Sequence, residues 1–236
     1  LTLSTGLALE GRVLDDVGTP LADFFIVAER VESGPDYDAN PDISRSFPDT
    51  DGSFRMDGFA AGEWKLSSWN KDHAASDPVR VTLPGAGPVV LLVPREAVVS
   101  GRVLDPSGAP VPAASVQADE ERERSEFYLE VDEKAADENG FFEIDGLGPG
   151  RVVLQAQGSS FAPSAPQTVE LAAGETLAGL VLRLRPGGTI LGELIGPDGR
   201  PRAGRVWLNG EGFRAYPETD TEGRFQVNGV PAGEIR

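Results

Sequence analysis

Three pairs of acidic residues stand beside glycine at matching places in the chain: Asp49 and Asp51, Asp137 and Glu138, Asp220 and Glu222. Carboxylates gathered on a loop are what Ca²⁺ requires, because it takes several oxygen ligands. The same residues also build turns, since Asp accepts hydrogen bonds from its own backbone and Gly supplies positive φ. None of these loops has the full ligand spacing of an EF-hand. Turn formation is therefore the reading carried forward, with no metal and no cofactor expected. His73 is the single His. A Ser-His-Asp triad would have to use it, yet no Gly-x-Ser-x-Gly elbow is present. One His also cannot supply the ligand cluster of a zinc hydrolase. The absence of Cys removes disulfides, thiolate zinc sites and Cys nucleophiles together. No catalytic residue is expected, and the chain reads as non-enzymatic.

The ligand candidates are aromatic: Trp69, Tyr37, Tyr128 and Tyr216. If Trp64, Leu66 and Ser68 face inward on a strand, Trp69 faces outward, where an indole can stack on a sugar ring. Tyr37, Tyr128 (with Phe127) and Tyr216 lie among charges in three segments, roughly Glu29 to Pro48, Asp119 to Ala135 and Gly210 to Glu218. Such an amphipathic mixture suits contact with a protein or a glycan. The competing reading of each is a solvated loop with one anchoring aromatic.

Charge narrows the partners. The 236 residues carry a formal net charge of -17, which excludes a nucleic-acid partner, because phosphate contacts need clustered Lys and Arg. No stretch approaches the roughly 18 consecutive apolar residues of a membrane helix. The chain opens on Leu1, without Met or a basic-then-apolar leader, so the true N-terminus, and any targeting signal on it, is expected to be missing.

The elements that must position these residues are written three times. Gly11-Arg12-Val13-Leu14-Asp15 returns as Gly101-Arg102-Val103-Leu104-Asp105 and as Gly192-Glu193-Leu194-Ile195. Each is followed by Gly-x-Pro, at Gly18, Gly108 and Gly199. A second phrase reads Gly52-Ser53-Phe54-Arg55-Met56-Asp57-Gly58-Phe59, then Gly140-Phe141-Phe142-Glu143-Ile144-Asp145-Gly146-Leu147, then Gly223-Arg224-Phe225-Gln226-Val227-Asn228-Gly229-Val230. A period of about 90 residues means tandem domains rather than a solenoid.

Within a copy, apolar residues alternate with polar ones: Leu7, Leu9 and Val13; Phe54 and Met56; Trp64 and Leu66; Val152 and Leu154. Tight Gly-containing turns join these runs as hairpins. Phe24 and Ile26, Ala114 and Val116, and Val206 and Leu208 (or the neighbouring Trp207) mark a further strand. No run shows a 3.6-residue period, although Glu120 to Ala136 has the composition of a short helix. The fold class is all-β, with tandem Greek-key β-sandwiches of about seven strands each.

These phrases resemble the carboxypeptidase regulatory-like domain, whose relatives include the Cna B-type repeats of surface proteins. The resemblance implies a transthyretin-like, prealbumin-type sandwich serving as a module beside something else. The family's Thr-Asp step is approximated by Thr50-Asp51, Ala136-Asp137 and Thr219-Asp220. Its later Gly-aromatic-x-Pro appears as Gly158, Phe161 and Pro163, with His73 at the aromatic place in the first copy. Trp69 has Gln157 as its counterpart. Some Cna B-type domains form a Lys-to-Asn isopeptide bond; here the first strands carry Arg12, Arg102 and Glu193, and the only Lys residues are Lys65, Lys71 and Lys134. No crosslink is expected.

Aligned on these phrases, residues 1–5 read as the last strand of a preceding repeat, 6–95 as repeat 1, 96–186 as repeat 2 and 187–236 as a truncated repeat 3. Arg236 comes only three residues past Gly233, while the first copy runs from Gly62 on to Pro94, so a longer array is expected. Pro94-Arg95-Glu96 and Pro186-Gly187-Gly188 are short linkers. The expected role is spacer, display or adhesion in a larger bacterial surface or secreted protein, extracellular or periplasmic. The expected partners are neighbouring repeats, with a protein or glycan ligand. The alternatives are a carbohydrate-binding module acting through sandwich-end loops, and an accessory domain of an enzyme.

Overall fold

The alternation at Leu7, Leu9 and Val13 becomes strand β1 (Leu7–Asp15), and the Phe54 hairpin becomes β4 (Ser53–Phe59) and β5 (Gly62–Trp69). The computed structural model describes residues 6–31, 43–48, 51–122, 132–210 and 213–236. Within them the first copy adds β2 (Phe24–Arg30), β3 (Ile43–Phe47), β6 (Val79–Leu83) and β7 (Val89–Val93). These strands form a three-stranded sheet, β4-β1-β7, and a four-stranded sheet, β3-β2-β5-β6.

The second copy repeats the plan. Its strands are β8 (Ala97–Leu104), β9 (Ser115–Glu120), β10 (Asp132–Ala135), β11 (Phe141–Leu147), β12 (Gly150–Gln157), β13 (Gln167–Leu171) and β14 (Thr176–Arg183). They pair as β11-β8-β14 and β10-β9-β12-β13. The helix expected over Glu120 to Ala136 is not formed at either end: Glu120 closes β9, and Asp132–Ala135 is β10, paired back onto it. Pairing with β9 satisfies the backbone of this segment, and Val116 and Ala118 on β9 supply its buried face.

Each pair of sheets encloses its own core. The first is built from Leu9, Phe24, Ile26, Phe54, Met56, Phe59, Trp64, Leu66 and Leu91. The second uses Val99, Val116, Phe142, Ile144, Leu147, Val152, Leu154 and Leu182. At roughly 1.5–3 kcal/mol for each large side chain taken out of water, either set is a sizeable driving force.

The first strand of each sandwich pairs in parallel with the last. Gly11 lies opposite Val89, and Gly101 opposite Leu180. A Cβ at Gly11 would sit 2.0 Å from the Val89 carbonyl oxygen, and one at Gly101 2.2 Å from that of Leu180. This close approach is why a glycine interrupts each of these strands. The second recurring glycine has another cause. Gly52, Gly140 and Gly223 have φ of 71°, 70° and 75°. Their carbonyls accept from Val13, Val103 and Leu194 N at 2.9, 2.8 and 2.7 Å. Those three residues in turn accept from Leu21, Val111 and Arg202 N. The phrase repeats because this frame repeats.

The third copy keeps the frame and little of the cover. Strands β15 (Gly188–Glu193) and β18 (Arg224–Val230) pair, as do β16 (Leu208–Gly210) and β17 (Phe213–Ala215). Ile190, Leu194, Leu208, Phe225 and Val227 are only half-buried, although Val99, Phe142 and Ile144 at the matching places of the second copy are at most 1% exposed. Val206 and Leu208 face inward and Trp207 faces solvent, 69% exposed, which resolves the register left open by the apolar run.

Candidate functional site

Strand alternation places Trp69 on the outer face of the four-stranded sheet, with Trp64, Leu66 and Ser68 buried on the inner one. Trp69 lies opposite Phe25 of β2. The rings stack with centroids 5.0 Å apart and planes at 18°, and Phe25 remains 40% exposed. Stacking occupies one face of each ring. In the second sandwich the matching cross-strand pair is Gln157 with Ser115, so the aromatic platform belongs to the first sandwich.

Tyr216, directly after β17, meets Trp207 edge-to-face at 5.9 Å and 89°. Trp207 is a surface aromatic that alternation alone did not single out, because apolar residues flank it on both sides. Trp69 and Tyr216 stand beside different sheets and form no common site. Tyr37 and Tyr128 lie outside the described residues, as do Phe127, Asp49 and Thr50.

His73 occupies a structural junction. Its Nδ1 lies 2.9 Å from Asn70 Oδ1, and its backbone bridges Asn70 and Arg95, just as Phe161 bridges Gly158. Three residues on, a buried serine recurs. Ser76 Oγ accepts from Ser68 N at 2.9 Å, and Ser164 Oγ accepts from Ala156 N at 2.9 Å. The recurrence at one offset, His73 to Ser76 and Phe161 to Ser164, was a sequence signal that the reading above missed.

The acidic turns bind their own backbone. Asp51 accepts from Ser53 N and Oγ at 3.0 and 2.6 Å. Asp137 accepts from Asn139 and Phe141 N, both at 2.8 Å, and Asp220 accepts from Glu222 and Arg224 N at 2.9 and 2.8 Å. The Ser53 hydroxyl holds the Asp51 carboxyl below the usual carboxylate range, and the Ser107 hydroxyl does the same for Asp105. A chelator should accordingly leave the melting temperature unchanged. A calcium-reversible drop in calorimetry would make these residues ligands, because a native-state ligand raises stability.

One carboxylate is shifted further. Asp16, in the turn after β1, accepts from Arg95 Nε and Nη2 at 3.0 and 2.9 Å, and from Arg95 N at 3.2 Å. The Arg95 side-chain hydrogen bond is the main cause that lowers its pKa to about 2. A depressed carboxylate contributes stability above its unfolded value and loses it as pH falls through the folded one. Acid titration of wild type against Asp16→Asn should therefore show a stability difference above pH ~4 that closes toward pH ~2. A difference independent of pH would disprove the linkage.

Arg12, Arg102 and Glu193 are all exposed, alternating with inward neighbours on the first strands. Lys134 pairs with Asp145 at 3.3 Å and Lys71 lies 3.9 Å from Asp72. Intact mass under denaturing conditions should equal the plain sequence mass; a deficit of one ammonia would reveal an isopeptide bond.

A family likeness covers the stretch from β8 to just past β14. Residues 98–185 match the carboxypeptidase regulatory-like domain. The second sandwich is similar to this family. The flanking copies share its Gly and Phe frame, as described above. Among solved structures the chain is similar to the minor pilin GBS52 of Streptococcus agalactiae, at 13% identity and TM-score 0.43, covering 75% of this chain and 96% of that one. It is also similar to a streptococcal ancillary pilin (12% identity, TM-score 0.34, 95% and 87% covered). A third is the shaft pilin SpaA of Lactobacillus rhamnosus GG (10% identity, TM-score 0.31, 78% and 99% covered). No curated protein matches the sequence.

Proposed function

We propose that the chain is a non-catalytic array of carboxypeptidase regulatory-like repeats, bounded near residues 6–95, 96–186 and 187–236. It serves as a spacer or display segment of a larger bacterial surface or secreted protein. The observation that carries this reading is the single hydrogen-bonded frame used three times in succession, on linkers as short as Pro186-Gly187-Gly188. A frame kept while its outer faces change from aromatic to polar suits a scaffold that holds other things apart. The acidic composition adds solubility at an exposed location. Small-angle scattering tests it: an elongated particle is expected, and a profile with the repeats folded back on one another would sink the spacer role.

Carbohydrate binding is a second reading, favoured by the exposed Phe25–Trp69 stack. The location then moves from loops at the sandwich end to the outer sheet face. A glycan array read with wild type and Trp69→Ala separates the two: signal lost with the indole supports sugar binding, and silence from both leaves the scaffold alone.

A further inference from the structure

The joint between the first two sandwiches contains charge taken out of water. Arg122, two residues past β9, has a side chain only 13% exposed, and it pairs with Glu120, whose side chain is 2% exposed. Glu120 Oε1 also accepts from Gly148 N at 2.7 Å. Held in this way, the guanidinium reaches across to the segment between β5 and β6 of the first sandwich. Its Nη1 donates to the Ala75 carbonyl at 2.8 Å and lies 3.3 Å from Asp77 Oδ1. A Cβ at Gly148 would lie 2.3 Å from Nη2, so glycine there leaves room for the guanidinium. Burying such a pair costs several kcal/mol per ion unless further hydrogen bonds satisfy it. Here some of those bonds come from the neighbouring sandwich.

A second tie runs through the linker. Arg95 grips Asp16 of the first sandwich with its amide and guanidinium, and its carbonyl accepts from Gly174 N of the second at 3.1 Å. The next joint differs. Ala74 N donates to Pro94 O and Ala162 N to Arg185 O, so the place of Arg95 is taken by Pro186. Gly187 and Gly188 follow it.

We propose that Arg122 and Arg95 lock the first two sandwiches into one rigid body, the surface around Glu120, Arg122 and Gly148 being a docking face for the β5–β6 segment of the preceding repeat. This concerns the stiffness of the joint and goes beyond the scaffold reading, which a flexible string would also satisfy. Residual dipolar couplings on the full 236-residue chain test it. A single alignment tensor should fit the amides of 7–93 and 97–184 in wild type. The triple variant R95Q/E120Q/R122Q removes the Arg122 clamp and the Arg95 guanidinium's grip on Asp16 without leaving a lone buried charge, keeping only the backbone bonds of residue 95; it should need two tensors while each sandwich keeps its own chemical shifts. If that variant loses its folded shifts, R95Q with G148A displaces the guanidinium instead and should likewise need two. Two tensors in wild type, or one surviving in a folded variant, overturns the proposal.

Discussion

Truncating Phe142 to Ala is expected to destabilise the second sandwich by about 3–5 kcal/mol, the range for emptying a large aromatic site in a packed core. The ring is 1% exposed and sits in β11, which pairs with β8 opposite Gly101. It belongs to a cluster with Ile144, Leu147, Val152, Leu154 and Leu182. These neighbours come from both sheets of one sandwich, so no single backbone shift collapses the hole. Since whole domains hold only about 5–15 kcal/mol, the variant should lose a large fraction of its stability. Denaturant titration measures it, and a loss under about 1 kcal/mol would place the ring outside the core.

Amide exchange should divide the chain as sharply. Strand β8 is flanked on both sides, by β11 and β14, whereas among the described residues β15 has β18 alone. Leu191 and Ile195 are 73% and 56% exposed, and β16 and β17 are three residues each. Regions with few buried apolar contacts and exposed ladders open at low free energy. Exchange from Gly188 to Arg236 is therefore expected to run orders of magnitude faster than in β8, β11 and β12. Equal protection in the monomer would show that the third copy is held by contacts other than those between its own strands.

What sequence revealed and what it hid divide along physical lines. The Gly frame was legible because left-handed φ at Gly140 and the carbonyl pressed on Gly101 admit one residue type each. The inward run of Phe54, Met56, Trp64 and Leu66 was legible because period-2 alternation is a local signal. Trp207 was ambiguous, since Val206 and Leu208 make both faces apolar. Asp132–Ala135 resembled helix because its pairing partner β9, not its own composition, decides its state. The Arg122 clamp was invisible: it joins residues 47 positions apart, and nothing near Arg122 in the sequence specifies Ala75. Of the four aromatic candidates, Trp69 and Tyr216 are on the surface, the first stacked on and the second edge-to-face with a neighbour that only the fold could name.

Parallel pairing of the first and last strands has a mechanical consequence. A pull on the two ends of one sandwich enters at Leu7 and leaves at Val93, at opposite ends of neighbouring strands that run the same way. The load then acts along the β1–β7 ladder as shear, and its evenly spaced hydrogen bonds resist together. An antiparallel pair pulled from the same end would open one bond at a time, like a zipper. The second sandwich has the same arrangement in β8 and β14, so tension carried down the chain meets two such ladders in series, each loaded in its stiffest direction.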